Sequence, residues 1–413
     1  MKEANFKETE IGKIPVDWEI KSIGDSFIFK NGLNKEKKFF GYGFPIVNYM
    51  DVYRNSGICN QDIQGKVFLN STELKSFEVK KGDVLFTRTS ETPEEIGLSA
   101  VILDEVFKTT FSGFLLRARP INELFDLNFC KYCFDNNAVR IQIKSKSTYT
   151  TRALTNGRVL SNIQIPLPPL SEQEIIAEVL SDTDFWIEST EALLAKKRQI
   201  KKGAMLKLLS PKEDWEVAEL KNVAWFQEGP GLRNWQFTDS GMKVINVTNL
   251  ENGYLNLSRT KRYISLQEFD RMYKHFEIQE NDIVVASSGN SYGKIAVVRE
   301  KDLPLVMNTS VIRFKPLEKI DYNFLLVFLK SVSFKDQIDL LTTGGAQPNF
   351  GPAHLNKILV NLPPKNEQKN IADVILSMDL EIESLENRLQ KARQLKQGMM
   401  QDLLTGKVRL IEN

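Results

Sequence analysis

The 413-residue sequence predicts an α+β chain in which two similar mixed α/β domains alternate with two long helices. Three observations predict it. One pattern occurs twice along the chain, each copy contains a proline pair followed by a long helical stretch, and short β-rich segments precede each proline pair. A repeat of this length decides the architecture before any local propensity does.

The duplication is clearest at the proline pairs. Pro168-Pro169-Leu170-Ser171-Glu172-Gln173 recurs as Pro363-Pro364-Lys365-Asn366-Glu367-Gln368, at an offset of 195. The offset holds without a gap through Ile176/Ile371, Ala177/Ala372, Asp184/Asp379, Ile187/Ile382, Arg198/Arg393, Lys201/Lys396, Gly203/Gly398 and Leu208-Leu209/Leu403-Leu404. Upstream it is looser. Asp17-Trp18-Glu19 matches Asp214-Trp215-Glu216, and Gly82-Asp83-Val84-Leu85 resembles Asn281-Asp282-Ile283-Val284, with the offset drifting between 195 and 199. Small loop insertions explain the drift.

The constant segments read as helices. Glu172 to Leu209 holds no proline and one glycine, and Pro168-Pro169 stops whatever precedes it. Ser171 with Glu174 predicts a capping box, Leu170 can staple onto Ile175, and Asn366 predicts the second cap. Ser210-Pro211 and Gly406 end the two helices. In the second copy Ile371, Ile375, Met378, Ile382, Leu385, Leu389 and Ala392 step by four and three, which is an a/d heptad seam. The same frame in the first copy reads Ile176, Leu180, Thr183, Ile187, Thr190, Leu194 and Lys197. Each stripe needs a cover, and the other copy supplies one. At about 1.5 Å per residue, roughly 38 residues make a rod of about 57 Å.

The segments before each proline pair read as mixed α and β. Val79–Thr87, Ser99–Leu103, Gly113–Arg119, Asp282–Ser287 and Ile295–Arg299 predict strands, and Asp126–Lys144 and Asp321–Leu341 predict helices. Val159–Leu167 and Lys357–Leu362 have strand character and run into the prolines.

Composition excludes several classes. Hydrophobic residues are 42% and charged residues 26%, enough for each half to bury a core. No apolar run approaches about 18 residues, so no membrane span is expected, and Met1 to Glu10 lacks the apolar stretch of a secretory signal. Cys59, Cys130 and Cys133 are too few and odd in number for a disulfide framework, which points to a reducing cytoplasm. With 55 basic and 53 acidic residues the formal charge is +2, so any nucleic-acid face must come from local clustering of Lys and Arg.

Catalytic motifs are near misses. Gly289-Asn-Ser-Tyr-Gly293-Lys294-Ile295 is one residue short of a phosphate loop, and Ile295 stands where a magnesium-holding hydroxyl belongs. Gly41-Tyr-Gly43 lacks the third glycine of a dinucleotide turn, and Asn361-Leu-Pro-Pro364 is not the Asn-Pro-Pro-aromatic motif that holds a target base. Cys130-x-x-Cys133 aligns with Leu325 and Phe328, so these cysteines read as core positions rather than half a zinc site. Histidine occurs only at His275 and His354, so both halves cannot share a histidine-based metal or acid–base site. No catalytic residue and no metal ligand are assigned.

Base reading needs Arg, Lys, Asn, Gln, Ser and Thr on supported loops. Two loop pairs and one further stretch recur in both halves. After the strand at Val84 come Arg88, Thr89 and Ser90, and after the strand at Ile283 come Ser288, Asn290, Ser291, Tyr292 and Lys294. Before the last strand come Lys144, Lys146, Tyr149 and Arg152 in one half and Thr343, Gln347 and Asn349 in the other. Lys35, Lys37 and Lys38 occupy a third place, matched by Arg233 and Asn234. The loops are polar in both copies but differ in letters, as two readers of different sequences would.

The arrangement resembles the specificity subunit of type I restriction–modification systems, over essentially the whole chain. The resemblance rests on Pro166-Leu-Pro-Pro-Leu-Ser-Glu-Gln-x-x-Ile-Ala177, its copy from Leu362 to Ala372, the helix ends Lys201–Leu209 and Lys396–Leu404, and the opening Ile14-Pro15-Val16-Asp17-Trp18. It implies target recognition domains at 1–170 and 211–365, and conserved helices at 171–210 and 366–413. The helices would pair as an antiparallel coiled coil, with the domains about a pseudo-twofold axis. Ile176, Leu180, Ile187 and Leu194 would face Ile371, Ile375, Met378, Ile382, Leu385 and Leu389. Each domain would read one half of an interrupted double-stranded DNA site. Half-site centres about 34 Å apart, roughly one DNA turn, would suit such a ruler. The implied partners are two modification subunits bringing S-adenosylmethionine to methylate adenine, and restriction subunits bringing ATP and magnesium, so this chain needs no cofactor of its own. The specificity subunit of a related bipartite type II or other phage-defence methylase, or a coiled-coil scaffold without DNA, are the alternative readings.

Overall fold

The computed structural model describes residues 5–342 and 349–410, and the chain divides into two compact units. The first comprises the residues up to Glu191 together with those from Asn387 onward, and the second is Ala192–Glu386. Among the described residues, no helix is long and apolar enough to cross a membrane.

The first unit is built on a five-stranded sheet. Its order is Phe27–Asn31, Leu115–Pro120, Val84–Thr87, Ser99–Ile102 and Gly57–Ile58, antiparallel except for the last pair. All four residues of Val84–Thr87 are buried, as a central strand covered on both faces requires. A smaller sheet joins Thr110–Phe111, Phe40–Val47 and Gly65–Val67. The strand Gln164–Leu167, which runs into the prolines, pairs antiparallel with Glu19–Ser22.

The second unit repeats this plan. Ala224–Glu228, Val311–Pro316, Ile283–Ala286 and Ile295–Val297 form the main sheet, and Tyr263–Ile264, Met242–Ile245 and Leu305–Met307 the smaller one. Leu359–Leu362 pairs with Glu216–Glu219. The predicted strands are thus present, each shorter than its predicted segment.

The predicted helices before the last strands are each broken. Asp126–Lys144 becomes two 3-10 turns, Phe129–Lys131 and Cys133–Asp135, followed by the helix Asn137–Lys146. Asp321–Leu341 becomes Tyr322–Leu329 and Val332–Leu341. Caps cause the breaks: the Asn136 side chain accepts from Ala138 N–H at 2.8 Å, and Ser331 Oγ from Phe334 N–H at 3.1 Å. Within Val159–Leu167 the first residues complete a short helix, Gly157–Ser161, so strand begins only at Gln164. Cys130, Cys133, Leu325 and Phe328 are all buried in apolar clusters.

The long helices span Leu170–Leu208 and Lys365–Leu403. Both begin earlier than Ser171 and Asn366 would set as caps. Pro169, with its φ suited to a first turn, instead supplies the carbonyl that accepts Glu172 N–H at 2.9 Å and Gln173 N–H at 3.0 Å. The second helix stops at Leu403 rather than continuing to the end of the chain, and Gly406 follows with φ 69°.

Each unit holds part of both helices, and in each the partners run antiparallel. In the first unit Asp184 meets Lys396 and Glu191 meets Arg393, each at 2.5 Å. In the second, Asp379 meets Lys201, and Glu386 meets Arg198 at 2.6 Å. These are the same residue pairs shifted by one repeat. Of the seam positions, Ile176, Leu180, Leu194, Ile371, Ile375, Leu385 and Leu389 are buried, and Ile187, Met378 and Ile382 are half-buried. The polar positions in the first seam each find a partner, within the helix or across it. Thr183 and Thr190 donate to the carbonyls of Val179 and Trp186 at 2.9 and 2.8 Å, and Lys197 pairs with Glu381 at 2.6 Å.

Candidate nucleic-acid interface

The central strand of each main sheet delivers its chain into the first candidate loop. In the first unit, Val84–Thr87 leads through Arg88 into Thr89–Ser90. That short strand pairs with Ala153–Leu154, which pairs with Thr148–Tyr149. Two loops about sixty residues apart in sequence therefore form one three-stranded surface. The second unit brings the same two loops together: Ser288 bridges Asn349, and Phe350 N–H donates to Ser287 at 3.1 Å. The Tyr292 ring packs edge-on against Phe350 at 5.5 Å between centroids.

The third stretch is a 3-10 turn in both units, Lys37–Phe39 and Asn234–Gln236. The chain ahead of it runs beside the turn that holds the first loop. Gly113 N–H donates to Leu33 and Arg88 N–H to Phe114, at 2.8 and 2.9 Å. In the second unit Gly229 N–H donates to Val311 and Ser287 N–H to Ser310, at 3.0 and 2.9 Å.

Side chains on this surface differ in availability. Lys37, Lys144, Tyr149, Arg152, Arg233, Asn234, Asn290, Lys294 and Asn349 are exposed, and Arg88, Thr89, Ser288 and Ser291 are half-buried. Arg88, Lys144 and Arg152 have no acidic partner among the described residues. Ser90 is buried and donates to Glu95 at 3.0 Å, so the expectation that it contacts DNA is corrected. Lys35 is likewise committed within the domain, to Glu73 at 2.7 Å and to the Phe68 carbonyl at 2.9 Å. Lys38 pairs with Glu36 at 2.7 Å, and Lys146 donates to the Asn162 carbonyl at 2.9 Å, but both stay exposed. Tyr292 donates to Asp339 at 3.0 Å, and burial, with that carboxylate beside it, lifts its hydroxyl to about 12. Thr343 and Gln347 lie outside the described residues.

The duplicated Glu-Gln pair has a role that sequence reasoning marked but did not assign. Trp18 Nε1 donates to Glu172 at 2.9 Å, and Trp215 Nε1 to Glu367 at 3.2 Å. Gln173 accepts from Asp126 N–H at 2.9 Å and donates to the Pro168 and Leu124 carbonyls, both at 2.9 Å. Gln368 repeats this with Asp321 N–H at 2.7 Å, Pro363 at 2.8 Å and Lys319 at 3.1 Å. These bonds, buried at Glu172 and part-buried at Glu367, fix each long helix to its domain. The recurrence of Trp, Glu and Gln at matching places is the signal that identifies them.

Comparison with known proteins agrees with this construction. Residues 15–198 and 212–394 each match the type I restriction modification DNA specificity domain. The chain is 28% identical to the type I restriction enzyme MjaVIII specificity subunit of Methanocaldococcus jannaschii, over 99% of this chain and 97% of that one. It is 27% identical to the EcoBI specificity subunit of Escherichia coli, over 63% and 61% of the two chains. In fold it is similar to the type I S subunit of M. genitalium, with a TM-score of 0.59, 16% identity and coverage of 94% and 96%. The HsdS subunit from Thermoanaerobacter tengcongensis gives a TM-score of 0.52 at 15% identity, covering 97% and 100%. With two matched domains and two long helices on one chain, this protein belongs to the type I restriction–modification DNA specificity family.

Proposed function

We propose that this chain reads a bipartite, interrupted site in double-stranded DNA, one half-site per unit, and docks the subunits that methylate and cleave. The observation that carries the reading is the convergence of the same two polar loops in both units, through Ser90 with Ala153 and through Ser288 with Asn349. Exposed Arg152 and Lys144 in one unit, and Asn290, Lys294 and Asn349 in the other, offer the donors and acceptors that base edges and phosphates require. The letters differ between the units, so the two half-sites differ.

Duplicated apolar residues on the long helices support partner docking. The first unit leaves Phe185 and Leu395 exposed at 72% and 59%, and the second leaves their repeat counterparts Leu380 and Ile200 exposed at 66% and 47%. An apolar pair that recurs once per unit suits two equal partners. The methylation partners would carry S-adenosylmethionine, and the restriction partners ATP and magnesium. This chain would contribute sequence reading and no chemistry, acting in the cytoplasm where its DNA lies.

Mapping methylated adenines in the host genome, with and without this gene, tests the reading. One interrupted motif that disappears with the gene is expected. A gel shift of the assembled methylase should then prefer duplexes bearing that motif, and binding indifferent to sequence would refute the assignment.

A further inference from the structure

The hollow beside the first unit's paired loops carries an inference that rests on the DNA-reading function above. It measures about 370 Å³ and lies between the helix Tyr49–Arg54 and the strand Thr89–Ser90. The Tyr49 and Tyr53 rings stack at 6.0 Å with 19° between planes, and Met50 and Phe114 add aliphatic and aromatic surface. Phe114, Met50 and Tyr53 are 58%, 42% and 41% exposed, so apolar surface gathers where the fold does not need it. Two carboxylates also line the hollow: Glu95, which accepts from Tyr53 at 3.2 Å and from Ser90 at 3.0 Å, and the exposed Glu91. Arg152, from the second candidate loop, stands on the rim.

The second unit is polar at the positions equivalent to Met50 and Phe114, while Tyr49 corresponds to Val247. Asn48 and Asn246 each begin a helical turn and take the side chain three residues on at their N–H, from Asp51 at 2.7 Å and Asn249 at 2.9 Å. Met50 therefore corresponds to Thr248. Phe114 and Ser310 correspond because their carbonyls accept from Arg88 and Ser287 N–H, each at 2.9 Å. The apolar hollow thus belongs to the reading of one half-site alone.

The major groove offers one apolar group on its base edges, the C5-methyl of thymine. We propose that the first unit recognises thymine at one position of its half-site by taking that methyl into the hollow, with Phe114 and Met50 as the specificity-determining residues. Arg152 on the rim keeps the neighbouring phosphate or base edge in register.

The test uses the full chain assembled with its methylation partners and a duplex bearing the mapped site, with each thymine replaced in turn by deoxyuridine. Removing one buried methyl weakens binding about fourfold at one position of one half-site. The double variant Phe114→Ser, Met50→Thr, which installs the second unit's residues, binds thymine and deoxyuridine alike at that position. If site-specific binding persists but no deoxyuridine effect disappears in the variant, the proposal is overturned. Loss of all preference for the site in the unaltered protein overturns the broader DNA reading instead.

Discussion

The indole N–H of Trp18 donates to Oε2 of Glu172 at 2.9 Å across 154 residues of sequence, and both side chains are wholly buried. Arg409 completes the group, reaching Glu172 at 2.5 and 2.7 Å and Asp17 at 3.0 and 2.9 Å. The N-terminal segment, the first helix and the residues after the second helix are thereby joined. Glu172→Ala leaves a buried indole and a largely buried guanidinium without their acceptor and costs about 3 kcal/mol. The matching Glu367→Ala costs less, because Glu367 and its partner Lys212 are 27% and 57% exposed. Urea midpoints of the two variants check this; equal losses would contradict the part given to burial.

These junctions also set an acid limit. The Arg409 guanidinium holds the Asp17 carboxyl below its ordinary 3.8, and the Lys212 ammonium, with Trp215, holds Glu367 below 4.5. A carboxyl depressed in the folded state stabilises it above the unfolded pKa, and that contribution is lost as pH falls through the folded value. The contribution of these two carboxyls should be level from pH 7 to about 5 and fall below the two ordinary values. Arg409→Ala should flatten the Asp17 part of that fall, as urea midpoints across the pH range would reveal.

Gly406 should not tolerate alanine. Its φ is 69°, and a Cβ there would lie 2.6 Å from Pro15 Cδ and 3.1 Å from the Trp18 ring. Gly406→Ala should cost about 1–3 kcal/mol. Gly398, inside the second helix with nothing within 4 Å of a Cβ, is the control. Gly398→Ala should stabilise by about 0.5–1 kcal/mol, through helix propensity alone. Thermal unfolding of the two variants should move in opposite directions.

Base contacts by the first unit's loops should be separable from the second unit. Arg152→Ala should weaken binding of the assembled methylase about tenfold and relax specificity within one half-site. Exchanging residues 211–360 for another recognition domain should change the other half-site and leave the Arg152 effect intact. Adenine methylation maps of the two strains decide the point, and simultaneous change of both half-sites would contradict independent reading.

The repeat made much of the fold legible. An offset of 195 carried through the helices, and apolar steps of four and three identified the seam, because helical periodicity and caps are local rules. The main strands were legible for the same reason. The breaks at Asn136 and Ser331 were less so, since a helical pattern continues across both while a single cap interrupts it. Tyr49, Met50 and Phe114 were missed as site residues. For Met50 and Phe114 the signal lay in the repeat, as apolar side chains where the other copy has Thr248 and Ser310, whereas Tyr49 matches the apolar Val247.

By itself, then, the sequence determined the duplication, the helix pair and the polar character of the loops, because each follows from spacing or from residue type within a short window. Only the tertiary structure decided that Ser90 lies beside Ala153 and Ser288 beside Asn349. It alone decided that Ser90 and Lys35 are tied to Glu95 and Glu73, while Arg88 and Arg152 have no acidic partner among the described residues. Which donor is free depends on partners brought close by chain closure, and sequence distance carries no record of that closure.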